Sequence, residues 1–146
     1  MGFLDRRERE RRIDRLAHVA LLSSCTHRQL ARIDELGTTL DVQPGRTLTR
    51  EGTPGRECFL VIGGAASARR GDQPVGVVPT GTVAGEMALL DGISRNATVV
   101  AATPMHLVVL STAEFHELLA LAPCVADLVL ETAAERREAL DLAGVR

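Results

Sequence analysis

The chain is predicted to fold as a mainly β, α+β domain in which helices at both ends flank a small β-barrel or jelly roll. Three observations carry this. Short β-branched runs alternate with turn residues at even spacing over positions 38–111, helical spacing precedes that stretch, and helix-start signals follow it. At 146 residues the chain is the size of one domain, large enough to bury a core and too short for two. We therefore read 1–146 as a single domain, with N-terminal helices over 1–37, the β region over 38–110 and C-terminal helices over 111–146.

The elements follow in order. Over about 5–20, Ile13, Leu16, Ala17 and Ala20 keep helical spacing, while Asp5 with Arg9 and Glu8 with Arg12 are placed for i,i+4 ion pairs. The charged first half reads as a solvated face, with a partner-docking helix as the lesser alternative. Thr26 with Gln29 forms a capping-box pattern that opens a second helix, ending before Gly37. The runs TTLDV, RTLTR, CFLVI, ASARR and PVGVV then read as strands, separated by Pro44-Gly45, Gly52 to Gly55, Gly63-Gly64, Gly71-Asp72 and Pro79 to Gly81. After an interruption at GEMALL, two more strands are expected over roughly 95–101 and 105–110. Ser111 with Glu114 repeats the capping box and starts a helix through Leu119. Pro123 opens a last helix carrying Val125, Leu128, Val129 and Leu140.

Composition removes many functions. All seventeen basic residues are Arg, so P-loop lysine and Schiff-base chemistry are excluded. A net charge of −2 supplies no global positive field for nucleic acid, and no DNA-binding domain is expected. No apolar run reaches the roughly eighteen residues of a membrane span. The N-terminal MGFLDRRERERR has no apolar core before a cleavage site, and Arg6 stands where a myristoylation signal needs Ser or Thr. A cytoplasmic protein away from the membrane is expected. Cys25, Cys58 and Cys124, odd in number and far apart in sequence, fit reduced thiols that serve as buried small hydrophobes.

Catalytic patterns fail on spacing. His116-Glu117-Leu118-Leu119-Ala120 has Ala120 where a zinc-protease motif needs its second histidine, and no CxxC is present. Ser94 lacks the second glycine of a nucleophile elbow. His18, His27, His106 and His116 read as surface or capping residues. No metal, no cofactor and no catalytic residue is expected, and the chain does not read as an enzyme.

The informative anomaly is a one-turn helical pattern, Glu86 to Leu90, inside the strand region, entered through Gly85 and left through Asp91-Gly92. A helix N-terminus offers unpaired N–H groups to an anion, and Gly85 lets a ligand approach the backbone. Arg95, after the turn, can return to the same place and offer its planar fork to two phosphate oxygens. Glu86 would repel phosphate unless it faces hydrogen-bond donors such as sugar hydroxyls, so a sugar phosphate reconciles both charges. An internal Glu86–Arg95 ion pair bracing the loop is the competing reading of those two residues alone.

The segment GEMALLDGISRNATV closely resembles the phosphate-binding cassette of the cyclic nucleotide-binding domain family, whose pattern is Gly-Glu-apolar-Ala/Gly-Leu, a variable loop, then Arg-x-Ala. The glycines of VQPGRTLTREG and FLVIGG resemble the family's turn glycines. The resemblance implies an eight-stranded jelly roll with its cassette over 85–98, Glu86 on the ribose hydroxyl, and Arg95 on the cyclic phosphate. It further implies ligand contacts around Gly85, Ala88 and Ala97, while Met87 itself reads as packing its side chain into the barrel with only its backbone facing the ligand. Asn96 departs from the family's usual Ala, Thr or Ser and leaves the base open: it either reaches phosphate or purine, or caps the next strand's turn. The ligand implied is cAMP first, cGMP second.

The family closes its pocket with the C-terminal helix. With no Trp or Tyr in the chain, Leu128, Val129, Thr132 or Arg136 must serve as lid, since Phe115 reads as core. The resemblance implies a sensor that rearranges its terminal helices toward a protein effector, which must be another chain or another part of a longer one. A homodimer is compatible with that. The alternative is a structural or interaction module that kept the fold without using the nucleotide.

Overall fold

The structure is a computed structural model that describes residues 3–91 and 94–142. Helix α1 (Phe3–Ala17) and a single 3-10 turn (Ala20–Leu22) lead to α2 (His27–Leu36). Strands β1 (Thr38–Val42), β2 (Thr47–Thr49), β3 (Glu57–Gly63), β4 (Ala66–Arg70), β5 (Gln73–Val78) and β6 (Val83–Ala84) follow. Helix α3 (Glu86–Asp91) interrupts the strands before β7 (Thr98–Ala101) and β8 (Met105–Ser111), and α4 (Thr112–Leu121) and α5 (Pro123–Leu142) complete the fold.

The strands form two antiparallel four-stranded sheets, ordered β1-β8-β3-β6 and β2-β7-β4-β5. They are two separate sheets, so the expected barrel is not closed. One core fills the space between them, drawing Phe59, Val61, Met105 and Leu107 from the first sheet and Ala66, Val78, Val99 and Ala101 from the second. A second core lies on the other face of the first sheet, where Cys58, Leu60, Ile62, Val108 and Leu110 pack with residues of the flanking helices. The continuous run CFLVI follows directly from this. Alternate side chains of β3 point into different cores, so both faces are apolar.

Both capping boxes form. Thr26 Oγ1 accepts from the Gln29 amide at 3.1 Å while Gln29 Oε1 accepts from the Thr26 amide at 2.9 Å. Ser111 and Glu114 repeat the exchange at 3.2 and 2.8 Å. Helix α1 stops earlier than its spacing predicts: Ile13, Leu16 and Val19 are buried, whereas Ala17 and Ala20 are exposed. Its charged face is not only solvated. Arg12 makes a bidentate pair with Asp34 of α2 at 2.8 and 3.1 Å, and Arg9 reaches Glu35 at 2.6 Å. Ion pairs to the neighbouring helix thus join the interaction that sequence spacing assigned within α1, where Glu8 also acts on Arg12.

Strand β6 has no counterpart in the sequence reading, being too short for a period of two to register. Strand β7 begins three residues later than expected because Arg95 and its neighbours run beside the loop between β2 and β3. Of the cysteines only Cys58 is a buried hydrophobe; Cys25 is half-buried and Cys124 exposed. All four histidines are exposed. Among the described residues no helix is long and apolar enough to cross a membrane.

Candidate functional site

Pairing of Phe59 with Ala84 and Leu60 with Val83 fixes where the chain leaves β6. It then turns at Gly85, whose φ of +86° lies in the left-handed region open to glycine. A Cβ at Gly85 would stand 2.5 Å from Arg95 Nη1. Gly55, in the loop between β2 and β3, shapes the opposite side: a Cβ there would lie 2.3 Å from Ala88 Cβ and 3.2 Å from Arg95 Nη1. Two glycines from distant parts of the chain therefore make the slot that holds the guanidinium.

The Arg95 backbone is tied to the same loop. Its amide donates to Thr53 O at 2.8 Å, and its carbonyl accepts from the Gly52 amide at 2.9 Å. The side chain then turns inward, where Nη1 donates to Gly85 O at 2.9 Å and Nη2 to Glu57 O at 2.6 Å. Arg95 is only 8% exposed. Burial pushes its pKa down, opposed by the negative character of Glu57, Cys58 and Glu86. The group remains a cation, since an arginine gives up its proton only far above neutral pH.

Glu86 occupies the first turn of α3 and is fully buried. It lies close enough to Cys58 to add to the main effect of burial in pushing that thiol's pKa up, an effect Arg95 opposes. One pocket of interior thus holds a carboxyl group, a guanidinium and a thiol behind β3.

The structure brings Gly85, Glu86, Ala88 and Arg95 together as the sequence predicted. Ala97 is buried, and its carbonyl accepts from Thr49 Oγ1 at 2.9 Å. Asn96 is half-buried. The Met87 side chain lies outside the described residues. Beside the slot opens a cleft of about 380 Å³ lined by Thr47, Leu48, Thr49, Arg50, Thr53, Pro54, Arg56, Glu57 and Arg95. That is within the range of small-ligand sites. Among the described residues that the sequence singled out, Arg95 alone lines it.

Sequence reasoning missed Gly55, Thr49 and the Glu57 carbonyl. Gly55 reads as an ordinary turn glycine, and nothing local reveals that it faces Ala88. Of the lid candidates, Val129 is fully buried in the helix-side core and cannot serve as a cap, whereas Leu128 is partly exposed. Phe115 is core, as expected. The Thr132 and Arg136 side chains lie outside the described residues.

Paired antiparallel sheets, flanking helices and a short inserted helix against a buried arginine define an α+β sandwich domain. Residues 39–121, more than half of the chain, match the cyclic nucleotide-binding domain family, and the chain belongs to that family. A cyclic nucleotide-gated potassium channel of Mesorhizobium japonicum is 41% identical over 98 residues, covering 67% of this chain and 27% of the channel. A cAMP-dependent protein kinase regulatory subunit of Pyricularia oryzae is 34% identical over 106 residues, 71% of this chain and 27% of that protein. The chain therefore spans about a quarter of the length of these relatives. Among solved structures, that described as Sp-2Cl-cAMPS bound to PKAR CBD2 shares the fold with a TM-score of 0.85 at 24% identity, covering 97% of this chain and 94% of the other.

Proposed function

We propose that this chain binds a cyclic nucleotide, cAMP before cGMP, and passes the bound state to an effector through its terminal helices. The observation that carries the reading is Arg95. A guanidinium shielded from water, with two neutral carbonyls as its hydrogen-bond acceptors, has lost hydration that those acceptors only partly replace. A cyclic phosphate gives it a charged, two-oxygen acceptor in place of neutral ones. Backbone amides at the start of α3 add donors on the same side, and a carboxylate such as that of Glu86 is an acceptor matched to a ribose hydroxyl. The relatives named as cyclic nucleotide-gated and cAMP-dependent support the ligand class.

Output follows from packing. Leu89 of α3 shares the helix-side core with Val125 and Val129 of α5, so a ligand that shifts α3 acts directly on the last helix. On the outer face of α5, Leu128 and Leu130 remain 36% and 52% exposed, a surface suited to an effector on another chain or another part of a longer protein. The role is one of binding and transmission, with no catalytic step.

Calorimetry with cAMP and cGMP on the wild type and on Arg95→Ala tests the reading. Saturable binding with cAMP the tighter ligand is expected, weakened about 100-fold or more in the variant because charge-assisted hydrogen bonds contribute about 1.5–3 kcal/mol each. Absence of binding by either nucleotide at millimolar concentration would leave a structural module that merely kept the fold. Conversion of cAMP to AMP on incubation would replace the sensor by an enzyme.

A further inference from the structure

Cys25 and Cys124, separated by most of the domain in sequence, meet in space. Cys25 sits immediately before the capping residue of α2, and Cys124 is the second residue of α5. Their thiols lie within hydrogen-bonding reach of each other. A second contact joins the same two segments: the Gln29 side chain of α2 donates through Nε2 to Leu121 O, just before α5, at 3.4 Å. Around them Leu22, Leu30, Ala122 and Val125 share one core cluster, against which Cys25 itself packs. Burial, reinforced by Cys124, pushes the Cys25 pKa up, so Cys25 is held mainly as the neutral thiol. Cys124 is exposed and meets solutes directly.

We propose that Cys25 and Cys124 are a reversible oxidation site whose disulfide clamps the first turn of α5 to the segment entering α2. With a peroxide as oxidant, the Cys124 thiolate attacks one peroxide oxygen, leaving a sulfenic acid and releasing hydroxide. The Cys25 thiol then displaces water from that sulfur as the S–S bond forms, so two thiols and one hydrogen peroxide yield one disulfide and two waters. The bond closes a covalent loop of roughly 100 residues around both sheets, a length at which cross-linking strongly restricts the unfolded chain. Cys58, buried behind β3, takes no part.

The test is to treat the fully reduced chain with hydrogen peroxide and map its peptides by mass spectrometry without reduction. The expected product is a monomer with Cys25 and Cys124 peptides joined, two hydrogens lighter than the reduced pair, and with Cys58 alone alkylated after denaturation. Dithiothreitol reverses the link, Cys58→Ser retains it, and Cys124→Ser abolishes it. The oxidised monomer unfolds at a higher urea concentration than the reduced one. A Cys124–Cys124 dimer, Cys124 oxidised to sulfinic or sulfonic acid without a link, or a link through Cys58 would overturn the proposal. None of these readouts depends on the nucleotide.

Discussion

Arg95 brings a positive charge to a place that water scarcely reaches, and the residues around it are chosen for what they leave out. Gly85 and Gly55 supply absent side chains. At Gly85, alanine would add about 1–2 kcal/mol of left-handed backbone strain and drive its methyl into the guanidinium. We expect Gly85→Ala to lower the urea midpoint and, on the proposed function, to weaken cAMP binding together, read by denaturation and calorimetry on the same protein. Cys58 gives a pH signature. Its folded pKa is raised above the ordinary 9.0, so the folded state keeps a proton that the unfolded state releases. The thiol's contribution is therefore fully present below pH 9 and declines as pH rises above it, by up to about 1.4 kcal/mol per unit. Urea titrations at increasing alkaline pH should show that slope, reduced in Cys58→Ala after allowance for the lost methylthiol packing.

At the scale of elements, the helices are set by their starts and by one buried stripe each. Thr26→Ala and Ser111→Ala each remove a side-chain acceptor from an exposed helix N-terminus, and each should cost about 1 kcal/mol in urea denaturation. Phe115 is a different case because it is buried whole between α4 and the first sheet. Phe115→Ala should cost about 3–5 kcal/mol, enough to lower the thermal midpoint severely. These elements were legible because their signals are local. A capping box spans four residues, and CFLVI declares a strand buried on both faces. Strand β6 was illegible because two residues carry no periodicity, and α1 was overextended because Ala17 and Ala20 are apolar enough to fit a pattern without being buried.

Over the whole molecule, β3 and β8 contribute to both cores, so the sheet sandwich and the helical layer share the same strands. Unfolding should be a single cooperative transition. On the proposed function, free cAMP at 100 times its dissociation constant should raise stability by about 2.7 kcal/mol and the thermal midpoint by roughly 5–10 °C, with no such shift in Arg95→Ala. A calorimetric scan with and without ligand measures both. The coupling invoked in that proposal also belongs to this scale, since it depends on α3 packing with α5 across a boundary that neither segment announces.

The order of elements, both capping boxes and the grouping of Gly85, Glu86, Ala88 and Arg95 were determined by the sequence itself. They rest on neighbours within about fifteen positions, where spacing maps directly onto geometry. What only the tertiary structure decided lies between segments far apart. Gly55 faces Ala88, the Glu57 carbonyl takes the guanidinium, Arg12 pairs with Asp34 of the neighbouring helix, and Cys25 meets Cys124. Each depends on how two sheets and one helical layer pack, and packing brings together residues whose separation along the chain carries no periodic trace.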